Sequence, residues 1–234
     1  MASPIDFAAF LLGLLLEIVV VVCVCYRRVN LYRYFPIGFY MLASILVSCG
    51  DYYVLQQFGQ GSSAYAYFYF YSDALLTILL FWTVIHFYQQ AFDELKVNKY
   101  IRGGAIALLL FTAIFSYLTV RRNQDHLTGR FVIELSQNLY FVGVVLTYLL
   151  WGTILKLKET RARLVQFVLA LGIYFSGSAV AYALRSFLHG STEHLLAWIP
   201  SVMYVWLSVA WAYAFVKVPE DSRLITAQLE TGTT

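Results

Sequence analysis

Apolar residues along this chain do not alternate with polar ones. They fall in long, nearly unbroken runs separated by short polar stretches. Seven runs stand out, near 7–26, 36–56, 65–90, 101–120, 131–155, 164–186 and 195–217. Each reaches the roughly 20 residues that a helix needs to cross a hydrocarbon core. Strands of a membrane barrel alternate apolar and polar side chains, so the helix is the spanning element left, because it satisfies its own backbone hydrogen bonds. The pattern predicts an all-α membrane protein, a bundle of seven transmembrane helices. Its connections are short, the longest being VRRNQDHLTGR between the fourth and fifth spans.

Composition agrees. The 234 residues are 61% hydrophobic and 12% charged, with a mean hydropathy of +0.70, whereas a soluble domain carries about 25% charged residues. A soluble fold of this length has too little core to hide so much apolar surface. The first run has no basic residue before it and is too long for the apolar part of a cleavable signal, so it is expected to remain as a span.

Charge sets the expected orientation. With the N-terminus outside, only Arg121, Arg122, Arg130 and Arg185 of the 16 Lys and Arg residues fall on the outer side. Cytoplasmic loops collect Lys and Arg, which predicts N-out/C-in. A net charge of +3 calls for no nucleic acid or acidic partner. Residues 1–218 are expected to form one transmembrane domain, and 219–234 a short disordered cytoplasmic tail without an output module. A shift of 128 residues lays the first three spans over the last three, pairing Arg33 with Arg161 and Ser48 with Ser176. The register admits a 3+1+3 internal duplication with the fourth span as linker.

Ionisable groups inside a bilayer are costly, so each is a candidate for function. Asp51, Asp73, Glu134 and Arg185 all fall in the outer halves of their spans. Gln137 and Asn138 share the helix face of Glu134, being three and four positions on. Tyr65, Tyr69, Asp73 and Thr77 recur every four residues within SSAYAYFYFYSDAL and so form one stripe. Pro200, Ser201, Tyr204 and Ser208 form another on the last span, with Tyr204 in reach of Asp73. The candidate ligand-binding set is therefore Asp51, Tyr69, Asp73, Glu134, Asn138, Arg185 and Tyr204. The same residues also suit a closed network of ion pairs that fixes helix packing. Glu17, alone among LLLEIVVVV, is a candidate for proton coupling, or a carboxyl hydrogen-bonded to a neighbouring helix.

Several chemistries find no support. There is no nucleophile elbow, zinc-protease or phosphate-loop motif, so no catalytic residue is assigned. His86 has no second histidine at its depth to share a haem, and the lysine of the last span, Lys217, sits at its edge, unsuited to retinal. Cys23, Cys25 and Cys49 show no metal or disulfide spacing. No cofactor and no metal is expected. In the sixth span GIYFSGSAVAYA spaces Gly172 from Ser176 and Gly177 from Ala181, the pattern of a closely packed helix.

The segments FPIGFYMLASILVSCGDYYVL and YAYFYFYSDALLTILLFWTVIHFYQQAF resemble the second and third spans of uncharacterised seven-helix bacterial inner-membrane proteins. The resemblance implies a bundle in the bacterial inner (plasma) membrane and no particular activity. The topology is also similar to that of sugar transporters of the 3+1+3 class. Those carry helix prolines in both repeats, whereas here Pro36 and Pro200 lie at the ends of spans. The expected role is a non-enzymatic sensor or accessory subunit with a small polar ligand and a membrane or cytoplasmic protein partner. The alternative is a small-molecule transporter.

Overall fold

The computed structural model describes residues 4–26, 28–59, 61–92, 98–121, 127–156, 161–187 and 193–219. The expected tail lies almost wholly outside the described residues. Within them the chain forms seven helices: α1 (Pro4–Tyr26), α2 (Arg28–Phe58), α3 (Ser63–Ala91), α4 (Asn98–Arg121), α5 (Leu127–Lys156), α6 (Ala162–Phe187) and α7 (Glu193–Lys217). Six of them, α2 to α7, are long and apolar enough to cross a membrane. In α1 the apolar stretch described is Leu11–Tyr26. The chain is a multi-pass helical bundle of membrane type, its surface covered with exposed Leu, Ile, Val, Phe and Tyr.

Each helix extends past its apolar run at one or both ends, since polar turns cap the spans. Between α2 and α3 the chain turns in four residues. Gly59, at φ 77°, takes the left-handed conformation a glycine adopts cheaply, and the Ser62 hydroxyl accepts the Tyr65 N–H at 3.1 Å to cap α3.

Neighbouring helices follow chain order around a ring, α1–α2–α3–α5–α6–α7 and back to α1. Helix α4 stands outside it, against α5 and more lightly α3. Helix α6 is the most enclosed, and its small residues explain why: a Cβ on Gly177 would overlap Met203 of α7, while Gly172 lies against Thr147 of α5.

One expectation needs correction. Neither proline is at a helix end: Pro200 lies inside α7, and Pro36 lies inside α2, after a kink at Tyr34 (φ −118°, ψ 20°). Proline has no N–H to give, and its ring crowds the carbonyl four residues back, so the turn before it opens. Two side chains of α3 cover the opened turn: His86 Nε2 and Gln90 Nε2 lie 2.8 and 2.5 Å from the Arg33 carbonyl. Because either can serve the carbonyl, His86→Leu alone should cost less than about 1 kcal/mol, in line with single interhelical hydrogen bonds in membranes. His86→Leu with Gln90→Leu removes both and should cost about 1–3 kcal/mol. Equal losses for the single and double variants in detergent unfolding would show that the pair is not a shared cap.

The half of the ring away from the α2–α3 turn is filled with aromatic side chains. Phe167 stacks on Phe87 at 6.0 Å and meets Phe215 at 4.9 Å and Trp211 at 6.3 Å. Buried Arg163 lies over the Tyr34 and Phe215 rings and donates Nε and Nη2 to the Val218 carbonyl at 3.0 and 2.6 Å, holding the end of α7.

A tyrosine-walled cavity on the ring axis

The other half of the ring is hollow. A cavity of 420 Å³ lies among all six ring helices, and no described residue of α4 lines it. Its wall carries Asp51 of α2, Tyr69 and Asp73 of α3, and Tyr204 of α7, together with Tyr40, Tyr140 and Tyr174. Ser44, Ser48, Ser72 and Ser201 supply hydroxyls.

Helical spacing explains why these side chains converge. On α3, Tyr65, Tyr69, Asp73 and Thr77 share a face that turns into the ring, with Thr77 buried and bonded to the Asp73 carbonyl at 2.8 Å. Tyr65 stacks near Tyr69 at 6.5 Å and faces Asp51. The rest of the aromatic run points elsewhere: Phe68 packs on Gly50 of α2, and Tyr67 and Tyr71 are exposed on the bundle surface. That surface position is where tyrosine belts form at membrane interfaces.

Asp73 is held from two helices. Tyr140 of α5 donates to Oδ1 at 2.9 Å, and Tyr182 of α6 donates to Oδ2 at 3.1 Å. Ser136, one turn before Tyr140, lies beside the same carboxyl. The Tyr140 and Tyr182 rings stack at 5.3 Å, and the Tyr174 hydroxyl is 3.5 Å from that of Tyr140. Among the described residues the carboxyl is thus held by phenols.

Glu17 is fully buried next to the cavity floor. Tyr204 donates to its Oε1, and the Tyr204 oxygen is 2.8 Å from Ser44 Oγ and 3.4 Å from Ser48 Oγ. With the phenolic proton directed at Glu17, the serine hydroxyls donate back to the tyrosine oxygen. Glu17 Oε2 and Asp51 Oδ1 are buried and make no hydrogen bond among the described residues. Tyr204 therefore serves Glu17 and not Asp73.

Asn138 and Glu134 lie apart from the cavity. Asn138 donates to Ser116 Oγ of α4 at 2.9 Å, so its face of α5 looks out of the ring toward α4. Glu134, one turn earlier on that face, is half-buried and not on the wall. Arg185 belongs to α6, but its side chain lies outside the described residues. Sequence reasoning missed Tyr140, Tyr174 and Tyr182. Their one trace was shared-face spacing, of Ser136 with Tyr140 on α5 and of Tyr174 with Ser178 and Tyr182 on α6, which among 19 tyrosines singles none of them out.

Fold and cavity together define a helical membrane-type bundle with an internal acidic and aromatic chamber. No protein-family model, no curated protein and no solved structure matches the chain.

Proposed function

We propose that the chain is a non-enzymatic ligand-binding membrane protein, a sensor or accessory subunit that admits a small polar molecule to the ring cavity from one face of the membrane. One observation carries this reading: the ring is polar and hollow at one end, dry and filled at the other. Below Glu17 the ring is lined by buried Val20, Val24, Ile37, Met41, Phe87, Phe167 and Trp211. Such packing suits a ligand that enters and leaves by the same door.

The Lys and Arg bias supports an outward-facing cavity, with the N-terminus outside, in a bacterial inner membrane. The consecutive arcs α1–α3 and α5–α7, with α4 apart, agree with a 3+1+3 duplication. Information would pass to a protein partner through the basic loops at the dry end. Proton-coupled transport is the second reading, favoured by Glu17 beside the floor.

Proteoliposomes separate the two. The receptor reading expects saturable ligand binding without accumulation inside, and a stoichiometric partner on mild extraction of native membranes. Uptake that is lost in Asp73→Asn and Glu17→Gln would overturn it in favour of transport.

A further inference from the structure

We infer that the cavity takes a small organic ammonium ion. The inference rests on the ligand-binding reading above and names its ligand class. Among the described residues the wall carries two carboxyls, Asp51 and Asp73, and no Lys, Arg or His. A third carboxyl, that of fully buried Glu17, adjoins the floor with Oε2 unbonded. Acidic groups in a low-dielectric interior are expected to have a countercharge, and the described wall residues offer none. A ligand that brings positive charge fills that role.

The hydrogen bonding points the same way. Asp73 is oriented by Tyr140 and Tyr182, yet each carboxylate oxygen has two lone pairs and these phenols use one apiece. Asp51 Oδ1 is a buried acceptor with no donor among the described residues. An organic ammonium ion supplies the positive charge that both lack, and adds N–H donors where it carries them. The five wall tyrosines, Tyr40, Tyr69, Tyr140, Tyr174 and Tyr204, add ring faces, which attract organic cations.

Size and donor geometry disfavour a bare metal ion. The acidic groups are spread around the wall, and among the described residues no three His, Cys, Asp or Glu come close enough to share one. A volume of 420 Å³ falls in the range small organic ligands occupy.

The test uses thiol reagents of opposite charge, so the natural ligand need not be known. In full-length protein with Cys23, Cys25 and Cys49 replaced by alanine, Ser201→Cys and Ser48→Cys each place one thiol on the wall. Labelling rates are compared for trimethylammonioethyl, sulfonatoethyl and neutral hydroxyethyl methanethiosulfonate, each normalised to a free thiol. The cationic reagent should be favoured over the anionic one by on the order of tenfold or more, as charged clefts concentrate counter-ions. Asp73→Asn and Asp51→Asn should each reduce the preference. Choline should slow labelling, and its neutral isostere 3,3-dimethylbutan-1-ol should not.

Equal rates for cation and anion, or equal protection by choline and its isostere, would overturn the ammonium assignment while leaving a ligand cavity. A cation preference that emerges only with Arg185→Ala would also overturn it, because Arg185 would then already supply the charge. Failure of all three reagents at both positions, in protein that elutes as a single folded species, would overturn the cavity reading itself.

Discussion

Alanine at Gly143 is expected to push α5 away from α6 and to lower the unfolding temperature by roughly 5–10 °C, the size of change that a loss of about 2–3 kcal/mol gives in a chain this long. A Cβ there would sit 2.5 Å from Cδ1 and Cε1 of Phe175 and 2.9 Å from Cγ. Real Cβ atoms do not approach ring carbons so closely, so something must move. Phe175 has no room to do so: it is fully buried and set edge-on against Tyr140 at 6.2 Å and Tyr174 at 5.8 Å. Overpacking of this kind typically costs about 1–3 kcal/mol, and an immobile ring puts the site near the top of the range. The displacement also reaches the cavity, because Tyr140 lies one turn from Gly143 and holds Asp73. Gly143→Ala should therefore weaken the cation preference of the cavity as well as stability. With Phe175→Leu in place the added methyl gains room, and the double variant should match Phe175→Leu alone. An unchanged melting point for Gly143→Ala would rule out the close α5–α6 approach.

How much of this was legible depends on what each residue type betrays. Asp73 and Glu17 were visible at once, because a carboxyl inside an apolar run has no bland explanation. Their partners were not. With 19 tyrosines in the chain, a further Tyr in a span carries little information, and Tyr140 and Tyr182 look like any others. Spacing gives a shared face but not what that face meets. It put Glu134 with Asn138 and Tyr69 with Asp73 equally well; tertiary packing turned the first pair toward α4 and the second into the ring. The seven helices were legible because span length is fixed by the bilayer, a constraint independent of packing. The kink before Pro36 was hidden for the opposite reason: the polar turn that continues α2 beyond it has no apolar signal.

Tyr204→Phe is expected to be the most damaging loss of a single atom. Glu17 sits at the packed contact of α1 with α7; Tyr204 donates to its Oε1, Ser44 lies beside the same carboxyl, and Oε2 has no partner among the described residues. Interhelical hydrogen bonds in membranes average only about 0.6 kcal/mol, because a helix left alone in lipid usually finds other partners. Glu17 is an exception on sequence grounds: its neighbours in LLLEIVVVV offer no side-chain donor, so α1 gains a partner only by docking. The loss should then approach the roughly 1–3 kcal/mol that a buried polar group left short of a donor costs, Ser44 being the hydroxyl that stays beside the carboxyl. Glu17→Leu should cost much less, since Tyr204 keeps Ser44 and Ser48 and leucine suits its surroundings. The double variant Glu17→Leu with Tyr204→Phe should be more stable than Tyr204→Phe alone, a coupling that marks the pair as one unit. It should also keep the cation preference at position 201, because Asp51 and Asp73 remain on the wall. Additive losses in this cycle would show that Tyr204 stabilises α7 independently of Glu17. Loss of the cation preference in the double variant, with stability intact, would instead make Glu17 a working part of the site and shift the balance toward proton-coupled transport.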